Sequence, residues 1–151
     1  MKDGLWLILA FVGGWFFAQF LKVLKVMWQQ KGKISAQELS VILFKSGGMP
    51  SGHTAGCIAD CVFLGLSYGW DSIYFALCVC FTTLIIYDAV NVRYAVGEQG
   101  RVMNEMIKKD KDLSKVKPVK LVEGHTVPEA IGGMILGIIV GWVVYNWMIL
   151  M

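Results

Sequence analysis

The chain has two histidines, and each sits in the same tripeptide, Gly52-His53-Thr54 and Gly124-His125-Thr126. An imidazole titrates near neutrality, so it can act as nucleophile, general base or general acid. The first histidine closes a glycine-rich run, Lys45-Ser-Gly-Gly-Met-Pro-Ser-Gly-His53. Glycines let backbone N–H groups approach a ligand, and a helix N-terminus adds unsatisfied donors and positive dipole. Ser51, Gly52 and the turn before them therefore form a candidate anion site. The same residues also read as a turn with Ser51 as helix cap. The second histidine lies in Glu123-Gly-His-Thr-Val-Pro-Glu129. His125 and Glu129 are four apart and share a helical face. A carboxylate on one ring nitrogen fixes the tautomer and leaves the other as nucleophile or base. Thr126-Val-Pro-Glu129 is equally a capping box with proline in the first turn, and the two roles are compatible.

A polar cluster, Asp88, Asn91 and Arg93 followed by Glu98, Gln99 and Arg101, stands at the end of an apolar stretch. The planar guanidinium of Arg93 matches a pair of phosphate oxygens. Asp88 and Asn91, three apart, can offer oxygen ligands to a divalent cation, with Glu98 and Glu123 completing the set. Alternatively, Asp88 only balances Arg93. Gln19 and Lys22 share one face of the first apolar segment. Lys22 either snorkels to the interface or reaches into the site. Asp60 lies two turns beyond His53, and its role is open.

The elements that must hold these residues are membrane helices. Of the 151 residues, 56% are AVILMFWYC and 17% are charged, with mean hydropathy +0.60. Soluble domains are nearer 45–50% apolar and about a quarter charged, which argues against disorder and against a soluble enzyme. Leu5 to Met27 makes a first span of about 33 Å, near the thickness of the hydrocarbon core. The apolar N-terminal run has no small-residue cleavage site, so it reads as a retained helix rather than a signal peptide. Ser35 to Phe44 is too short to cross and is expected in the interface or re-entrant. Thr54–Tyr68, Ser72 to about Val92, and Val127 to about Met148 are the remaining spans, the Thr54–Tyr68 stretch being short and carrying an acid. Gly97–Lys109 has apolar residues at Val102, Met103, Met106 and Ile107, the pattern of a helix lying on the membrane. The fold class is therefore all-α, one transmembrane domain over residues 1–151 with about four spanning helices and a cytoplasmic-side interfacial helix.

Four spans put the 28–53 and 92–126 loops on one side. All of the 14 Lys and Arg residues except Lys2 lie on or near that side. By the positive-inside rule it is cytoplasmic, in a multi-pass protein of the cell membrane. Cys57, Cys61, Cys78 and Cys80 lie in apolar stretches and read as small helix residues rather than disulfides or a metal site. Gly133-x-x-x-Gly137-x-x-x-Gly141 places small residues on one helix face. That face meets either a helix of the same chain or a second subunit, so a homo-oligomer is possible.

Gly47-Gly-Met-Pro-Ser-Gly-His53, Tyr87-Asp-Ala-Val-Asn-Val-Arg93 with Gly97-Glu-Gln99, and Glu123-Gly-His-Thr126 with Glu129 together resemble the divergent branch of the type 2 phosphatidic acid phosphatase superfamily. The likeness extends to Ala18-Gln19-Phe-Leu-Lys22. It implies hydrolysis of a phosphoester through a phosphohistidine, with no required metal or other cofactor. By that resemblance His125 attacks phosphorus, Glu129 orients it, and His53 protonates the leaving alcohol. The chain departs from typical members in several ways. No Arg-Pro follows a suitable lysine, Glu123-Gly124 stands where Ser-Arg is usual, Glu129 replaces aspartate, and there is room for about four spans rather than six. Lys22, Lys45 and Arg93 are the candidates to replace the missing phosphate ligands.

The expected function is hydrolysis of a phospholipid or isoprenoid phosphate at the cytoplasmic leaflet, a step of phospholipid metabolism. The partners are then a lipid phosphate and the membrane, with no nucleic acid. Two alternatives stand beside it. One is a lipid phosphatase using magnesium held by the Asp88, Asn91, Glu98 and Glu123 oxygens. The other is a non-catalytic binder or transporter of anionic lipids.

Overall fold

The computed structural model describes residues 3–31, 35, 39–40, 42, 48–110, 113, 115–122 and 124–151. Among these the elements are all helical: α1 (Asp3–Gln29), α2 (Gly52–Tyr68), α3 (Ile73–Tyr87), a π-helical turn (Asp88–Val92), α4 (Arg93–Lys109) and α5 (Val127–Leu150). Three helices are long and apolar enough to cross a membrane: α1, the continuous 37-residue helix from Ile73 to Lys109, and α5. The second expected span is the 17-residue α2. At about 26 Å it sits at the short end for a crossing helix. The expected short element at 35–44 lies mostly outside the described residues.

α2 is the centre of the bundle, packed against α5, α1 and α3. α1 and α5 reach its backbone because they carry glycine where they touch it. A methyl group on Gly14 would lie 2.6 Å from the Ala55 carbonyl oxygen. One on Gly133 would lie 2.6 Å from that of Ser51, on Gly137 2.5 Å from that of Ala55, and on Gly141 2.5 Å from that of Ala59. Lipid tails are as apolar as leucine, so membrane helices associate through such close contact rather than through the hydrophobic effect. The small-residue face of α5 is thus spent within the chain, on α2. Ala10, Ala59, Phe63 and Val140 form the buried core between α1, α2 and α5.

The bundle has two unlike ends. At one, the Tyr68 hydroxyl donates to the Asp3 carboxylate at 3.0 Å, Trp6 meets Trp147 edge to face, and Trp70 meets Phe75. Such an aromatic cluster suits a membrane–water boundary. At the other end lie Gln19, Lys22, Ser51, His53, the π-helical turn and His125. All four cysteines are free, and Cys61 and Cys78 face one another across α2 and α3 with 3.3 Å between sulfurs.

The amphipathic helix differs from expectation at its start. No break separates the third span from it, because α3 runs through the π-helical turn into α4. Gly97 does not interrupt the helix; its missing side chain admits the Val122 carbonyl, which a methyl there would meet at 2.5 Å. The whole rod is about 55 Å long, well beyond one hydrocarbon core, so α4 is the continuation of a spanning helix and not the separate surface helix expected; Val102, Met103 and Met106 on it are exposed.

Replacing Gly137 by Val is expected to destabilise the detergent-solubilised protein by about 1–3 kcal/mol through overpacking. Gly4→Ala is the control, since a methyl there meets nothing within 4 Å. Thermal unfolding of the two variants beside the parent checks this, and a parent-like Gly137→Val protein would contradict the α2–α5 packing.

Candidate functional site

The two Gly-His-Thr tripeptides are not equivalent in three dimensions. Ser51 caps α2, its hydroxyl oxygen accepting from the Thr54 N–H at 3.4 Å and the Thr54 hydroxyl at 3.0 Å, so His53 falls inside the first helical turn. Thr126 caps α5, so His125 falls before the cap. The consequence is that His53 is exposed while His125 is only 4% exposed.

His125 is held on three sides. Its backbone N–H donates to the Ala89 carbonyl in the π-helical turn at 3.0 Å. A π turn opens the helical hydrogen-bond ladder by one residue, and such turns gather at functional sites. Gly124 packs against the start of α4, where a methyl would lie 2.3 Å from the Tyr94 nitrogen. The Nδ1 atom stands 3.4 Å from Glu129 Oε2, and that same oxygen accepts the Thr126 N–H at 3.0 Å. The capping box and the His–Glu pair are therefore both present, on one carboxylate oxygen. With the proton on Nδ1 facing Glu129, Nε2 keeps its lone pair. Burial holds the His125 imidazole below the usual histidine pKa, against the opposing hydrogen bond from Glu129; the charges of Lys22 and His53 push the same way as burial.

The remaining candidates fall around this pair. The Ser51 N–H donates to the Glu129 carbonyl at 3.0 Å, which ties the two histidine segments together through the backbone. Lys22 is 7% exposed, its stem lies against Gly48, and its charge is felt by Glu129, His125 and His53. It therefore reaches into the site rather than snorkelling away. Gln19 is buried beside Gly52. The Arg93 charge also reaches His53, while its guanidinium pairs with Asp88. Ser51 is fully buried as the α2 cap, and Gly52 is packed under Trp15. Lys45 and Glu123 lie outside the described residues.

Two of the carboxylates considered for a cation are paired with arginines, and the Asn91 amide nitrogen is engaged with backbone. Asp88 pairs with Arg93, Glu98 pairs with Arg101, and the Asn91 amide donates to the Tyr87 carbonyl at 3.4 Å. Among the described residues no group of three His, Cys, Asp or Glu side chains is arranged to hold a metal ion. Gln99 is exposed on α4.

Two clefts flank the His125–Glu129 pair. One, about 310 Å³, is walled by polar groups that include Glu98, Arg101, Thr126 and Glu129. The other, about 260 Å³, is lined by Val90, Tyr94, His125, Thr126, Val127 and Pro128. Tyr94 and Thr126 wall both. Reading the sequence did not single out Tyr94, because its place beside Gly124 is a long-range contact with no local signature. Nor did it find the clamp that lays the 119–122 segment along α4: the Asn104 amide donates to the Val119 carbonyl at 3.0 Å and accepts the Val119 N–H at 2.7 Å.

The fold and the site define an integral-membrane helical protein with a histidine-centred polar site at one end of its bundle. The chain belongs to the Divergent PAP2 family, whose profile matches residues 4–140. Membership places it among phosphatase-like membrane proteins. It is also 31% identical over 111 residues to the uncharacterized membrane protein YuiD of Bacillus subtilis, covering 65% of this chain and 70% of that one. No solved structure matches it.

Asn104→Ala removes both clamp bonds and is expected to free the segment that leads to His125. Trypsin should then cleave after Lys120 faster than in the parent, with α1, α2 and α5 equally resistant in both. Unchanged cleavage would show that the clamp does not hold the segment.

Proposed function

We propose that the protein hydrolyses a lipid phosphate ester at the cytoplasmic leaflet through a phosphohistidine. The observation that carries this reading is a buried histidine, oriented by a carboxylate, with a second and exposed histidine and a buried lysine in electrostatic reach. Phosphoryl transfer needs in-line positioning and charge stabilisation more than elaborate covalent chemistry. Lys22, Arg93 and the N-terminus of α2 supply positive charge toward the phosphate, with Lys45 a further candidate.

His125 Nε2 attacks phosphorus, and the bond from phosphorus to the lipid oxygen breaks. His53 gives its proton to the departing alkoxide, so the alcohol leaves neutral. Glu129 holds the Nδ1 proton and stabilises the positive charge that the ring acquires. Water, giving a proton back to His53, then attacks the phosphorus and releases inorganic phosphate and free His125. The basic side of the bundle carries the site, and the positive-inside rule makes that side cytoplasmic. No step calls for a metal ion.

Phosphate release by the purified protein, on a panel of lipid mono- and diphosphates, tests the reading. His125→Ala and His53→Ala are each expected to lose activity on the order of 10²- to 10⁴-fold while remaining folded, and chelator to leave the parent rate unchanged. Parent rates in both histidine variants would overturn it, and turnover restored by magnesium after chelation would favour the metal alternative.

The pH profile is a separate test. The nucleophile must be neutral, and burial lowers the His125 pKa, so the acid limb of kcat/KM is expected below the ordinary histidine value of 6.5. Glu129 raises that pKa. Glu129→Gln should therefore move the acid limb further toward acid and lower the plateau rate. A limb that moves toward higher pH would contradict the pairing.

A further inference from the structure

A buried nucleophile in a membrane protein raises the question of how an amphiphile reaches it. The apolar groove between α1 and α5, about 500 Å³, is lined by side chains such as Leu9, Phe16, Leu136 and Trp147, and no polar side chain except the Trp indoles stands on its wall. It offers nothing to the phosphate end of a lipid. The 260 Å³ cleft is different in kind. It lies between the π-helical turn and the first turn of α5, with α3 packed on α2 rather than on α5. Val90, Val127 and Pro128 give it apolar walls, Val127 being 60% exposed. Its polar lining is His125, itself 4% exposed, with Tyr94 and Thr126. An apolar mouth that ends on a buried imidazole fits a molecule that is itself apolar with a polar end.

We infer that this cleft is the lateral portal through which a phosphate-bearing lipid passes from the bilayer to His125, the head end of its chain lying between Val90 and Val127–Pro128. The inference rests on the proposed function for the phosphate end of the ligand. The polar 310 Å³ cavity, which shares Tyr94 and Thr126 with the portal, is the aqueous counterpart on the Glu129 side. The lipid and the water-borne species then meet the His–Glu pair from two directions. Tyr94 lines both clefts, and a side chain with an apolar ring and a polar hydroxyl suits the boundary between an apolar and a polar compartment. The backbone bond from His125 to Ala89 makes the π-helical turn both the support of the histidine and one jamb of its portal.

The test uses the full chain in phospholipid vesicles containing a phosphatidic acid whose acyl chain carries a diazirine near its head end. A phosphatidylcholine with the same labelled chain is the control. After illumination, peptide mapping by mass spectrometry is expected to find adducts at residues 90, 94, 127 and 128 with the phosphatidic acid, enriched about tenfold over the control. Val127→Trp, which fills the mouth from an exposed position, should remove that enrichment. The ratio of long-chain lipid phosphate to p-nitrophenyl phosphate hydrolysis should also fall about tenfold in this variant. Adducts distributed alike for the two lipids, or confined to the α1–α5 groove, would overturn the portal. Phosphate-dependent adducts at the cleft in a protein that releases no phosphate would support the portal and overturn the phosphatase reading alone.

Discussion

The close approach of α2 to α1 and α5 is the contact on which everything else depends. Within a bilayer, burying a leucine against another helix gains little over leaving it in lipid, so association relies on dense packing. Here the density comes from missing side chains: Gly14 on one neighbour, and Gly133, Gly137 and Gly141 on the other, receive the carbonyls of Ser51, Ala55 and Ala59. Those carbonyls belong to the first turns of α2, the same turns that carry Ser51, Gly52 and His53. The contact that holds the bundle together also sets the depth of the site.

From that contact the chemistry is placed by backbone hydrogen bonds. Ser51 donates to the Glu129 carbonyl, and His125 donates to the Ala89 carbonyl. The first couples the start of α2 to the start of α5, and the second couples the histidine segment to the long α3–α4 rod. Three separate parts of the chain thereby converge with short backbone bonds rather than flexible side chains between them. His125 can be buried because the chain leading to it is pinned by Ala89 and by the Asn104 clamp further back.

The charges follow a division of labour. Asp88 and Glu98 each hold an arginine along the rod, while the buried Lys22 lies beside Gly48 and shares its field with Glu129 and both histidines. A buried ammonium is costly without a counter-charge, and Glu129 supplies one. That single carboxylate thus orients His125, completes the α5 cap and offsets Lys22.

What the sequence alone determined was the class of fold and the nearness of the central pair. The excess of apolar residues requires membrane helices, and the short spacing of His125 and Glu129 keeps them close, although they do not share a helical face: His125 precedes the Thr126 cap, and Glu129 reaches back across it. These are local or global properties of composition and period, which a chain carries whatever it packs against. Tertiary structure decided the rest. It separated two identical tripeptides into an exposed and a buried histidine, because one cap falls before its histidine and the other after. It buried Lys22, spent the glycine stripe within the chain, bound Asp88 to Arg93, and set Tyr94 on the walls of two clefts. Each of these depends on which distant backbone lies within a few ångströms, and no spacing along the chain records that.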